Sequence, residues 1–183
     1  ETREERFDYT RYRDLAQSSK VIAIGETGLD YYYRPKTKIK LNQFKEKQKE
    51  VFLKQLELAK EVNLPVIFHC RVAHNDLIEI LTQLQNSNKF TGVKTLLRGV
   101  IHCFTGTWEQ AKKYLDMGFY LGFNGIIFKL DLDEIIRKTP LNRILIETDC
   151  PYLTPPPATL RKRACSRSDA GGATTILQKI NNI

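Results

Sequence analysis

The stretch VIAIGETGLDYYYRP, residues 21–35, begins like a buried strand and then reaches an acidic residue. The run from Val21 to Gly25 is short and apolar, which predicts a β-strand. Glu26 follows this run directly. A single carboxylate at the tip of a hydrophobic strand carries little information. Its meaning therefore depends on whether the rest of the chain repeats the pattern.

The sequence downstream repeats the order of strand and helix. The 3.6-residue period of apolar positions predicts helices over residues 9–18, 42–62, 75–85 and 107–117. A polar loop is expected at residues 86–92. Further apolar runs predict strands at residues 65–69, 96–102, 119–123 and 143–147. Strands that alternate with helices over short connections are usually parallel, so the pattern predicts an α/β sheet or barrel.

Side chains that can bind a metal stand at the ends of four of these five strands. They are Glu26, His69, His102 and Asp149, and only the strand that ends near Asn124 lacks one. The carboxyl ends of parallel strands lie on one rim, so we expect the four side chains to converge there. Two imidazoles and two carboxylates suit a divalent Zn, Mn, Fe or Mg ion. The alternative interpretation is that each histidine is a core residue and each acid caps a helix.

At these residues the chain resembles the TatD family of metal-dependent deoxyribonucleases, which belongs to the amidohydrolase superfamily. The resemblance covers roughly residues 20–157 and follows four motifs in order: GETGLDYYY, PVIFHCR, GVIHCFTG and LIETDCPYL. It implies a TIM-type (β/α)8 barrel and, in the intact family member, two divalent metal ions such as Mg, Mn or Zn. It also implies that Glu26 is shared by both metals and that His69, His102 and Asp149 are ligands. The catalytic residues would be Glu26 and Asp149, with Asp149 orienting the attacking water or accepting its proton.

The chain departs from the family pattern at both ends. The H-x-H motif with which the family opens is absent, which predicts that the first three strands are missing and that strands four to eight are present. Residues 1–183 would then form a single partial barrel domain. Residues 158–183 diverge from the family's pattern.

The resemblance implies hydrolysis of phosphodiester bonds in DNA by a metal-activated water. One alternative is another amidohydrolase-type reaction on a lactone or an amide. A second alternative is an inactive fragment that lacks the H-x-H metal ligands. No obligate protein partner is evident from the sequence.

Several residues near the proposed ligands have two interpretations. Arg71 lies two positions after His69, so it is expected on the same side, either binding a phosphate or forming a surface ion pair. Asp30 either orients a ligand or shapes a turn. The tyrosines at 31–33 either stack on bases or pack within their loop. His74, at the start of a predicted helix, is expected on the surface.

Composition sets wider limits on the function. The 183 residues are 42% hydrophobic and carry a formal net charge of +8, which weakly favours a polyanionic partner such as nucleic acid. A membrane span is not expected, because there is no apolar run of about 18 residues. The four cysteines form no CxxC pair, so we expect reduced thiols in a cytoplasmic protein. Those that follow the proposed ligands, Cys70, Cys103 and Cys150, are expected to be small buried fillers.

Overall fold

Strands and helices alternate along the chain, as the apolar pattern predicts. The computed structural model describes residues 7–91, 97–149, 152–153 and 170–183, with the side chains at 87–91 and 170–175 left out. The chain divides into two compact units, residues 1–99 and 100–183. Within the described residues, none of the helices is both long enough and apolar enough to cross a bilayer.

Among its described residues, the first unit contains two complete parallel strands and three helices. In chain order these are α1 (Tyr9–Ala16), β1 (Ile24–Asp30), α2 (Lys38–Glu61), β2 (Val66–Arg71) and α3 (His74–Thr91). Strands β1 and β2 are parallel, with Ile24 opposite Val66 and Gly28 opposite His69. Phe52 of α2 and Phe68 of β2 meet edge to face, 6.2 Å between ring centroids. Both are fully buried, so this contact lies at the centre of the unit's core.

The described part of the second unit contains three parallel strands and three helices. The elements are β3 (Gly99–Ile101, whose first residue lies in the first unit), α4 (Trp108–Asp116), β4 (Tyr120–Phe123), α5 (Asp133–Lys138), β5 (Ile144–Ile146) and α6 (Ala170–Asn181). Short 3-10 turns span Gly125–Phe128 and Leu141–Arg143. Strand β4 pairs in parallel with β3 on one side and β5 on the other. The fold is therefore α/β with parallel strands.

Local sequence explains where α4 begins. The hydroxyl of Thr107 accepts the backbone N–H of Gln110, and the amide oxygen of Gln110 accepts the N–H of Thr107. This reciprocal capping box satisfies two of the helix's orphan donors. It fixes the start of α4 a few residues after β3. Phe104, in the connecting segment, packs edge to face on Tyr114 of α4 at 6.3 Å.

Several predicted bounds are wrong. The second strand runs over Val66–Arg71 rather than residues 65–69, so His69 lies inside it and not at its end. The first strand runs over Ile24–Asp30 rather than residues 21–25, so Glu26 lies inside it and not at its tip. The third helix continues to Thr91, through most of the expected loop at 86–92. In the divergent tail, residues 158–169 lie outside the described residues, and α6 follows them with Ile176 fully buried.

Candidate functional site

In the first unit, the imidazole of His69 lies between two carboxylates. Its Nδ1 is 2.7 Å from Oε1 of Glu26, and its Nε2 is 3.1 Å from Oδ2 of Asp30. The hydrogen bond with Glu26 raises the pKa of His69 most. Burial opposes this shift, and the charges of Glu26 and Asp30 add to it. A carboxylate only accepts hydrogen bonds, so both ring nitrogens face positions suited to a proton or a cation.

The alternation of β1 creates this arrangement. Glu26, Gly28 and Asp30 occupy alternate positions, and the residues between them, Thr27 and Leu29, are buried in the core. Because Gly28 has no side chain, this face of β1 carries no side chain between Glu26 and Asp30. A Cβ there would lie 1.9 Å from the carbonyl oxygen of His69, so only glycine permits the close approach of β1 to β2.

Helix α2 fixes the end of β1 through a side-chain amide. The N–H of Asp30 donates to Oε1 of Gln48 at 2.8 Å, and Nε2 of Gln48 donates to the carbonyl of Asp30 at 2.8 Å. The Asp30 carboxylate also accepts the N–H of Tyr32 at 2.8 Å. The turn predicted at Asp30 is therefore confirmed, because Oδ1 accepts the N–H of Tyr32, while Oδ2 contacts His69.

In the second unit, His102 is also placed between two carboxylates. Its Nδ1 is 2.7 Å from Oε2 of Glu147, and its Nε2 is 3.6 Å from Oδ1 of Asp149. The other oxygen of Glu147 accepts the backbone N–H of Cys103 and lies 3.5 Å from Nδ2 of Asn124. Glu147 is therefore held by three groups besides its own backbone, and it orients the ring of His102.

In the second unit, too, a glycine leaves room beside a histidine–carboxylate contact. A Cβ on Gly122 of β4 would lie 2.7 Å from Oε2 of Glu147. That separation is shorter than real Cβ contacts, so any side chain at this position would displace the carboxylate. Gly122 thus allows Glu147 to reach His102.

Strained backbone follows three of the strands. Val72, Cys103 and Asp149 have φ values of 57°, 47° and 52°, in the left-handed region that non-glycine residues rarely adopt. They come shortly after β2, β3 and β5, respectively. Each costs of order 1–3 kcal/mol, and residues of this kind concentrate at functional sites.

The donor atoms are of types that bind divalent cations, whereas the 2.7 and 3.1 Å contacts of His69 are also ordinary hydrogen-bond distances. Two ligand atoms about 2.1 Å from a shared ion are about 3.0 Å apart at an octahedral angle and about 3.4 Å apart at a tetrahedral one. The nitrogen–oxygen separations of 2.7, 3.1 and 3.6 Å lie around these values. Within the described ranges, no group of three His, Cys, Asp or Glu side chains is placed so that it could hold a metal ion. Around each histidine, the two carboxylates face opposite ring nitrogens.

The predicted ligands thus occur as two pairs, one in each unit. Glu26 contacts His69, and Asp149 lies near His102. That all four share one rim stays a prediction. Sequence reasoning assigned no role to Glu147, although it lies two residues before Asp149 in the same motif and alternation could have indicated it.

Other predicted residues have mixed outcomes. Arg71 is exposed, and its guanidinium lies 3.6 Å from the centroid of the Tyr32 ring. Cys70 is buried as expected, Cys103 is half-buried with its thiol 3.5 Å from Oδ1 of Asn124, and Cys150 lies outside the described residues. The surface position expected for His74 is wrong. Its side chain is buried, at 7% exposure, and burial lowers its pKa to about 4.

Comparison with known proteins gives consistent matches. The chain is 42% identical over 154 residues to the uncharacterized metal-dependent hydrolase YcfH of Escherichia coli K12, covering 82% of this chain and 52% of that protein. It is 36% identical over 171 residues to the 3'-5' ssDNA/RNA exonuclease TatD of Escherichia fergusonii, covering 91% and 60%. The crystal structure of YJJV, a TatD homologue from Escherichia coli K12, superposes with a TM-score of 0.66 at 27% identity, covering 94% and 68%.

Each match covers a larger share of this chain than of the protein it is compared with. The chain spans about half the length of the first of these relatives. The family model of the TatD related DNases matches residues 1–182, and it gives no support to the expectation that three strands are missing. With a match over nearly every residue, the chain belongs to the TatD family.

Proposed function

We propose that this chain acts in the metal-dependent hydrolysis of phosphodiester bonds in DNA. The observation that carries the proposal is the placement of a carboxylate at each ring nitrogen of both His69 and His102. In metal sites one imidazole nitrogen binds the ion while a carboxylate orients the other. The names of the two relatives, a metal-dependent hydrolase and a single-stranded DNA/RNA exonuclease, support the same class of reaction.

In the first unit, the proposed ligands are Nδ1 of His69 and the carboxylate of Glu26. Asp30 then holds the Nε2 proton and fixes the ring, and Gln48 in turn fixes Asp30. Glu26 is the carboxylate that would be shared between two divalent ions of Mg, Mn or Zn. In the second unit the proposed ligands are Nε2 of His102 and Asp149.

Each side chain has a distinct task in the proposed reaction. Bound divalent ions would lower the pKa of a water molecule and neutralise phosphate charge. Glu147 holds the Nδ1 proton of His102, which keeps Nε2 available as a ligand atom. Asp149 orients the attacking water or accepts its proton, a role typically worth about 10²–10⁴ in rate. Arg71 would place its in-plane donors on a phosphate.

The fold that accompanies this proposal rests on the same resemblance, whereas the location rests on the cysteine pattern. We take the parallel strands of each unit as strands of a (β/α)8-type fold, as the resemblance implies. The lack of a CxxC pair among the four cysteines of the sequence favours a cytoplasmic location.

The deciding experiment measures metal content and cleavage on the same preparations. The purified chain is loaded with Mn²⁺ and incubated with a labelled single-stranded oligodeoxynucleotide. A sample treated with EDTA is the control without metal. We expect cleavage that EDTA abolishes, and a loss of about 10²–10⁴ in kcat for Asp149→Asn. Glu26→Ala should lower the metal content, whereas the control Glu57→Gln, an exposed acid on α2, should not.

The alternatives predict different results. A lactone or amide hydrolase would turn over those substrates with metal while leaving the oligonucleotide intact. An inactive fragment would cleave none of them at any metal concentration. Unchanged metal content in Glu26→Ala would remove the role proposed for that residue.

A further inference from the structure

We propose that the tyrosine–lysine loop, which comprises residues 32–37 and the first turn of α2 up to Lys40, binds an unpaired strand of nucleic acid, with Tyr33 stacking on a base. The proposal deepens the proposed function, on which it rests for the class of ligand. Its first support is position. Tyr32 comes two residues after Asp30, and Arg71 comes two residues after His69, so the loop begins beside the histidine–carboxylate site of the first unit.

The three adjacent tyrosines have different surroundings. Tyr31 is buried, and its hydroxyl donates to Oδ2 of Asp76 at 3.0 Å, which anchors the start of the loop. Tyr32 is 51% exposed, with the guanidinium of Arg71 over one ring face. Tyr33 is 70% exposed and meets Tyr32 edge to face at 4.8 Å. An anchored pair therefore presents the Tyr33 ring to solvent.

Arg71 supports the aromatic pair and keeps its donors available. A guanidinium that stacks on a ring uses its flat face, so its N–H groups still project in the plane. Those donors match a phosphate in geometry and charge. Stacking on Tyr32 also restrains the long Arg71 side chain before any ligand binds.

The charge of the loop suits a phosphate backbone. Residues 31–40 contain no acid, and Arg34, Lys36, Lys38 and Lys40 are all exposed. Exposed aromatic rings interleaved with cations form the usual surface for single strands, because every base has a face to stack and every nucleotide carries a charge. In a duplex the bases stack on each other, so Tyr33 would have no free face to contact.

The test measures binding with cleavage switched off. The 183-residue chain is titrated in EDTA against a fluorescent single-stranded oligodeoxynucleotide of about 12 nucleotides, followed by anisotropy. We expect Tyr33→Ala to weaken binding by about fivefold to a hundredfold, and Tyr33→Trp to retain it. The matched control Tyr12→Ala, 41% exposed on α1 of the same unit, should bind as the parent does.

Two further measurements separate stacking from general charge attraction. Lys36→Ala should reduce the slope of log affinity against log salt by about 0.7, the value for one phosphate of a single strand. Equal affinity for a duplex of the same sequence, or equal competition by polyglutamate, would overturn the proposal. So would a Tyr33→Ala variant with unchanged affinity.

These measurements distinguish a failure of the loop proposal from a failure of the proposed hydrolase function. If Tyr33 governs binding while no metal supports cleavage, the loop proposal stands and the hydrolase proposal fails. If the chain cleaves DNA but Tyr33→Ala binds as tightly as the parent, the hydrolase proposal stands and the loop proposal fails. Thermal unfolding of each variant is the control for the fold, and we expect the exposed substitutions to leave the melting temperature unchanged.

Discussion

At the scale of single residues, Glu147 depends on a missing side chain on the neighbouring strand. It reaches His102 and the N–H of Cys103 only because Gly122 has no Cβ. A carboxylate that holds the second nitrogen of a metal-binding histidine commonly contributes 10- to 100-fold in metal affinity. Gly122 therefore influences the proposed site without contacting the histidine.

Gly122→Ala tests this dependence. We expect metal affinity to fall by about 10- to 100-fold, because the new methyl group displaces Glu147 from His102. Overpacking should also lower the free energy of unfolding by about 1–3 kcal/mol. Glu147→Gln removes the charge without adding volume and should lower affinity alone. Calorimetric metal titration and urea unfolding measure the two effects. Parent-like affinity in Gly122→Ala would show that Glu147 has no orienting role.

His74 makes the stability of the fold depend on pH. Burial lowers its pKa to about 4 in the folded state, against about 6.5 when unfolded. Between these values the unfolded chain binds more protons, so the free energy of unfolding rises with pH across this window. Acidification from about 6.5 to 4 should therefore cost roughly 3 kcal/mol through this residue.

Urea unfolding at several pH values measures that contribution. We expect His74→Gln to lose the part of the pH dependence that lies between about 4 and 6.5. His69 affects the free energy of unfolding over a different pH range. Its raised pKa contributes stability that is complete below about 6.5 and is lost as the pH rises through the folded-state pKa. Identical pH profiles for the parent and His74→Gln would contradict the buried, neutral state of His74.

At the scale of elements, α2 supports the polar edge of β1 with amides rather than charges. Gln48 pairs with both backbone groups of Asp30, and the hydroxyl of Thr27 donates to Gln55 one heptad further along the helix. These bonds replace partners that β1 would otherwise need at this edge, since an unpaired backbone group is costly when buried. The end of β1 and the carboxylate it carries are thereby fixed.

Gln48→Ala should lower the free energy of unfolding by about 1–3 kcal/mol, because it leaves a half-buried N–H and a carbonyl of Asp30 without this partner. Gln43→Ala, an exposed position on the same helix, should change it by less than about 0.5 kcal/mol. Chemical denaturation measures both variants. If both variants lost the same small amount, Gln48 would have no special role in holding β1.

The elements also show what the sequence could and could not reveal. Apolar runs correctly predicted the five described strands and their order with the helices. They misplaced β1, since Glu26, Thr27 and Asp30 look like loop residues but are held in the strand by β2 and α2. The burial of His74 also depends on tertiary packing, which periodicity within one helix does not report. The sequence did indicate the residues of the two histidine–carboxylate pairs, because Glu26, His69, His102 and Asp149 lie in or shortly after recognisable apolar strands.

At the scale of the whole molecule, the proposed ligands make folding and metal binding one equilibrium. Glu26 and His69, and likewise His102 and Asp149, are more than 40 positions apart in the sequence, so these two pairs exist only in the folded chain. An ion that binds the folded state alone stabilises it by about 2.7 kcal/mol at a hundred times its dissociation constant. The same linkage destabilises the protein when the ion is removed.

We therefore expect saturating Mn²⁺ to raise the melting temperature of the EDTA-treated chain by about 5–10 °C. His102→Ala and His69→Ala should each reduce this increase, because each removes an imidazole ligand atom. Asp14→Asn, an exposed acid on α1, should leave it unchanged. Differential scanning calorimetry with and without metal measures the shift. Equal increases in all four proteins would mean that Mn²⁺ stabilises the chain through other residues, and the two histidines would then lose their role as ligands.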